Sequence, residues 1–150
     1  MTVRMKVEGL RELEASLIAL GNATAAKSVG RKVLRKAGKP IADAAKSLAP
    51  DDPNTSKDLK ASIDIGTKLN KRQRKFARKE TKSHVEIHVG TSDPAGIQQE
   101  FGNVNHGPQP FMRPAWAANK FKALKIIKTE LSGEIVKAAK RLAAKAARGK

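Results

Sequence analysis

The chain has no cysteine, which excludes disulfides, thiol nucleophiles and sulfur-ligated zinc. It has no tyrosine, and aromatic residues make up 3% of it, too few for modules that stack on bases. No apolar run approaches the roughly 18 residues of a membrane-spanning helix. The first residues, Met1 to Val7, lack the apolar stretch of a signal peptide, so secretion by that route is not expected. Acidic residues are scarce, 14 against 31 basic, for a formal net charge of +17.

What remains is 150 residues, 39% hydrophobic and 30% charged, the composition of one globular domain with a real core. The charge is unevenly placed. Residues 68 to 82 hold eight basic residues and only Glu80; residues 120 to 150 hold ten, with Glu130 and Glu134. The remaining body is nearly neutral. Two cationic segments of this kind attract polyanions through a salt-sensitive field, or serve as solvated faces. In the first segment the candidate nucleic-acid-facing residues are Lys71, Arg72, Arg74, Lys75, Arg78 and Lys79.

Periodicity gives the elements. Val3, Met5 and Val7 alternate as in a half-buried strand; Leu10, Leu13, Leu17 and Leu20 form a helical stripe. A second helix is expected after Thr24 as N-cap, burying Val29, Val33 and Ala37. Gly38 and Pro40 predict a kink or short break, after which Ile41, Ala44, Ala45 and Leu48 continue the stripe. Asp51 and Asp52, between Pro50 and Pro53, read as a turn or helix start. Leu59, Ala61, Ile63 and Ile65 alternate as one strand, and Val85, Ile87 and Val89 as another. The two are expected to pair as an antiparallel hairpin, with residues 68–82 as a mobile connection.

The last element is a helix over 114–147, with Pro114 at its first position. Its apolar stripe is Ala117, Phe121, Leu124, Leu131, Ile135, Ala138 and Leu142, with the stem of Lys128 filling one site. Such a helix is about 50 Å long, against a radius of gyration of about 15 Å for a domain of this size. An overhanging stripe predicts packing against another subunit. The expected fold class is α+β, a single domain spanning 1–150: a small antiparallel sheet covered on one face by helices, with a long C-terminal helix.

Catalytic patterns are missing. No Gly-x-Ser-x-Gly elbow, P-loop or dinucleotide fingerprint occurs, and neither an enzyme nor a cofactor is expected. His84 and His88 on a strand stand about 13 Å apart, too far to share a metal.

One constellation is specific. Ala45-Lys46, Ala49-Pro50, Leu59-x-x-Ser62-Ile63, Val89-Gly90, Glu100-Phe101-Gly102 and Pro110-Phe111-x-Arg113-Pro114-Ala115 follow in that order, behind a leading Gly9-Leu10-x-x-Leu13. The set resembles the tail-completion or head–tail joining proteins of long-tailed DNA bacteriophages, within the wider tail-terminator group. It differs from them at Asn103, where threonine is more usual, and in its long basic connection. The resemblance implies a structural virion protein of the tail or neck, made in the bacterial host cytoplasm. It further implies a ring, a hexamer, that contacts tail-tube and connector proteins around the DNA channel, with no membrane partner. In physical terms Pro110 and Pro114 stiffen the entry to the last helix, and Gly102 permits a sharp turn after Phe101. Arg113 can pair bidentately with Glu100, and Phe111 anchors either the core or a neighbour. The competing reading is a basic protein that binds nucleic acid without sequence preference and without assembling.

Overall fold

A row of small and branched side chains at every fourth position organises the molecule: Val33, Ala37, Ile41, Ala45 and Ala49 are all buried. Residues i and i+4 share one helix face, and four of the five lie on the long helix α1 (Ala23–Leu48). The computed structural model describes residues 23–50, 58–69, 71–76 and 85–148. The strand expected over 2–7, the stripe of Leu10 to Leu20 and the turn at Asp51-Asp52 lie outside these residues. Thr24, expected as N-cap, falls inside the helix.

α1 runs through Gly38 and Pro40 without the expected break. Proline removes one ladder hydrogen bond, but Ala37 before it and Ile41 after it belong to one buried cluster with Ala123. Tertiary burial of both halves on the same partner overrides the local cost. Leu48, expected in the stripe, is half exposed, and Ala42 and Ala49 are buried instead.

After α1 come a single helical turn α2 (Leu59–Ser62), strand β1 (Ile63–Gly66), helix α3 (Lys71–Phe76), strand β2 (His88–Thr91), helix α4 (Ala95–Phe101) and helix α5 (Met112–Ala147). The fold is α+β. β1 and β2 pair antiparallel, with Ile63 opposite Thr91 and Ile65 opposite Val89. Both strands are shorter than their alternation suggests. Asp58 accepts hydrogen bonds from the amides of Lys60 (2.8 Å) and Ala61 (3.2 Å), which winds Leu59–Ser62 into a helical turn rather than a strand. Residues 85–87 lie outside the ladder, and β2 begins at His88. The basic connection contains α3.

The hairpin rests on α1 at Gly38. A Cβ there would lie 3.1 Å from Val89 Cγ2 and 3.3 Å from Ile65 Cγ2, so any larger residue would require these side chains to give way by a few tenths of an ångström. The outer side of β1 carries the exposed Asp64. One face is therefore covered and the other solvated.

α5 lies antiparallel along α1. Ala115 packs in one cluster with Ala45 and Ala49, and Ala123 packs with Ala37 and Ile41. Further along, Lys36 meets Glu130 (2.7 Å) and Lys32 meets Glu134 (3.0 Å). The fully buried residues of α5 are thus Ala115 and Ala123, with half-buried Ile126 and Ile127 packed beside the second; of the expected stripe, Leu124, Leu131 and Ile135 are half-buried. Phe121 is 61% exposed, and Ala117 and Lys128 are exposed as well. The reason is size: two helices come closest where side chains are small, so alanine wins the contact and Phe121 turns aside.

Candidate functional site

The residues singled out around Glu100 and Arg113 come together where α4 ends and α5 begins. α4 begins at Ala95, just after Asp93, whose Oδ1 accepts from the Ala95 amide at 2.9 Å while its own amide donates to Thr91 Oγ1 at 3.0 Å. α4 stops at Gly102, where φ is +77° and the amide donates to the Gln98 carbonyl at 2.7 Å. A Cβ at Gly102 would stand 2.9 Å from the Pro108 nitrogen, so glycine is required both by the left-handed backbone and by the returning loop.

Asn103 shapes that loop. Its Oδ1 accepts from the amides of Asn105 (2.8 Å) and His106 (3.0 Å), and its amide donates to the His106 carbonyl (3.0 Å). Such side-chain-to-backbone turns suit asparagine. The Gln109 amide then donates to the Gln99 carbonyl at 2.7 Å, tying the returning strand of chain to α4.

Glu100 is the centre of the joint. Its residue exposure is 5%, and its carboxylate accepts from the amides of Phe111 (2.8 Å), Met112 (2.8 Å) and Arg113 (3.1 Å). These are the unpartnered N–H groups that every helix start leaves open. The next residue, Pro114, has no N–H, and the Ala115 amide reaches the Phe111 carbonyl at 3.3 Å. The first turn of α5 is therefore satisfied completely. Pro114 sits at the third helical position rather than the first, and loses nothing there. Burial raises the pKa of Glu100, but the three amides and the Arg113 side chain outweigh it, leaving the carboxyl below its ordinary value.

Arg113 pairs with Glu100, though not bidentately with the carboxylate. Its Nε donates to Oε1 at 2.8 Å and its Nη2 to the Glu100 carbonyl at 2.9 Å. Its guanidinium lies 5.0 Å from the Phe101 ring centroid. Phe111 is fully buried among Ala45, Ile63 and Ala115, so it anchors the core and faces no neighbour. Phe101 points the other way, at 64% exposure, and Pro110 is exposed on the returning chain.

Two residues missed in the sequence complete this surface. Ile97 is 68% exposed, one turn before Phe101 on α4, and Val104 is 100% exposed at the loop tip. The spacing of Ile97 and Phe101 was the available signal. An open hollow lined by residues 101–108 lies beside them.

The basic residues of the connection stand apart from the joint in sequence. Lys71, Arg74 and Lys75 are exposed on α3, which also holds Arg72; Arg78 and Lys79 lie outside the described residues. His88 Nε2 is 3.8 Å from Glu86, and His84 lies outside the described residues. Among the described residues no group of three or more histidine, aspartate or glutamate side chains could hold a metal, and no described helix is long and apolar enough to cross a membrane.

The architecture is an α+β domain on an antiparallel helix pair, with its motif residues gathered in one capped joint. A family model described as "Bacteriophage HK97-gp10, putative tail-component" matches residues 11–102, more than half of the chain, ending on Glu100-Phe101-Gly102. The chain belongs to this family of bacteriophage tail components. No curated protein and no solved structure gives a significant match.

Proposed function

We propose that this tail component completes the tail and joins it to the head, acting by shape and contact rather than by catalysis. It assembles as a six-fold ring around the DNA channel and contacts the tail tube on one side and the connector on the other. Its place is in the virion, in the tail or neck, after synthesis in the host cytoplasm. Family membership supports the tail assignment. The observation that carries the assembly reading is the exposed apolar trio of Ile97 and Phe101 on α4 and Val104 on the following loop, whose backbone is tied at both ends. Exposed apolar groups on a braced support are what a docking surface requires.

The test is genetic and structural. Without the gene, filled heads and separate tails should accumulate. Wild-type protein should restore joining, and the triple variant Ile97→Ser, Phe101→Ser, Val104→Ser should fold but not restore it. Cryo-electron microscopy of the particle should find a ring of this chain at the head–tail junction. A single copy there, or normal particles from the triple variant, would overturn the reading.

A further inference from the structure

α5 carries only two acids, Glu130 and Glu134, and both are turned toward α1, where they pair with Lys36 and Lys32. At about 100° per residue, Lys125 stands half a turn from Glu134, on the opposite side of the helix. Lys122 and Lys128 flank it by about 60° on either side, and Lys140 repeats the direction of Lys122 five turns later, about 27 Å along the axis. All four are exposed. Among them stand Ala118, Thr129, Ser132 and Val136, exposed and short, and Phe121, 61% exposed and about 40° around the helix from Lys125. Lys137 is not part of this face, since it leans on Glu134 at 3.5 Å, and Lys120 lies over the Phe121 ring.

We infer that this acid-free face of α5, built on Lys122, Lys125, Lys128 and Lys140, docks the backbone of double-stranded DNA without sequence preference. The charge layout alone carries this, independently of the tail assignment. Lysine acts as a point charge on phosphate, and short neighbours let a phosphate ridge come close. The face has no Arg, Asn or Gln to read base edges in pairs. Its one aromatic, Phe121, is a single ring and not the row of rings on which successive bases of a single strand stack. A protein partner would call for anchors other than lysine, which interfaces avoid. A lipid surface would need the opposite, apolar side of the helix free to immerse, and here α1 covers that side.

The experiment is fluorescence anisotropy with a labelled 30-base-pair duplex, titrated across a series of salt concentrations. The variant Lys122→Gln, Lys125→Gln, Lys128→Gln, Lys140→Gln keeps helix propensity. Each lost phosphate contact lowers the slope of log affinity against log salt by about 0.9, so the slope should fall by about 3.6. The pair Lys125→Gln, Lys128→Gln should show about half that drop and guards against misfolding of the larger variant. A control with the same charge loss as this pair but elsewhere, Lys39→Gln, Lys46→Gln, should keep most of the wild-type slope. Equal losses in both pairs would overturn the inference. So would binding to polyglutamate or phosphatidylserine vesicles without binding to the duplex, or no duplex binding by wild type at low salt.

Discussion

Arg113 Nε lies 2.8 Å from Glu100 Oε1, and the same carboxylate holds the backbone amides of Phe111, Met112 and Arg113. One side chain at the end of α4 thus caps the start of α5. The partners differ in exposure, 7% for the Glu100 side chain and 61% for that of Arg113. That difference sets what each contributes. Removing the buried acceptor strands three donors, of which the Phe111 amide is buried, whereas removing the exposed donor leaves a carboxylate still served by three amides.

Glu100→Gln should therefore destabilise the fold by about 1–3 kcal/mol, the cost of leaving buried donors poorly served. Arg113→Ala should cost less, because an exposed guanidinium is screened by solvent. Urea unfolding of both variants checks the order; a larger loss for Arg113→Ala would contradict it.

Acid should act through the same group. The folded pKa of Glu100 is lowered, so its contribution is complete above the unfolded glutamate value near ~4.3 and is lost as pH falls through the folded value. Wild-type stability should decline over that acid range, and Glu100→Gln should flatten the decline. Melting temperatures from neutral pH down to about pH 3 measure it.

Phe111→Ala should cost about 3–5 kcal/mol, since the ring is fully buried in the main cluster. Phe101→Ala, at an exposed ring, should leave the melting temperature nearly unchanged and impair particle joining instead. The pair separates core from contact surface within one motif.

Gly96 faces the Thr91 methyl so closely that an added Cβ would overlap it. Thr91 cannot swing away freely, because its hydroxyl is hydrogen-bonded to Ser62 Oγ and the Asp93 amide. Gly96→Ala should destabilise by about 1–3 kcal/mol despite the better helix propensity of alanine. Thr91→Ser removes the methyl and keeps the hydroxyl, so the double variant should recover most of the loss in a thermal melt.

Net charge should govern assembly in solution. At +17, subunits repel one another at low ionic strength. Light scattering should find small species in dilute buffer and larger ones as salt and concentration rise.

The antiparallel hairpin and the Glu100–Arg113 pairing were legible because each depends on local pattern. Alternation marked Ile63, Ile65 and Val89, and two prolines around Phe111 marked a fixed entry. The extent of the strands was not legible. Leu59, Ala61 and Ile63 alternate, yet a capping aspartate at 58 makes the first residues a helical turn, and short apolar runs fit both forms. On α5 the expected stripe holds at Leu124, Leu131 and Ile135, which are half-buried, and fails at the exposed Phe121, because close helix contact selects alanine at 115 and 123. The continuity of α1 through Pro40 depends on α5, more than seventy residues away in sequence, and no local signal carries that.

The cap on α5 also has a mechanical meaning. Five hydrogen bonds tie Glu100 to the segment Phe111–Arg113, three through amides and two through the arginine side chain. All five bind the same residue, so traction along α5 loads them in parallel, not one after another. A pull that would unzip a sequential ladder bond by bond must here break several contacts together, and the load passes straight into α4, which carries Ile97 and Phe101.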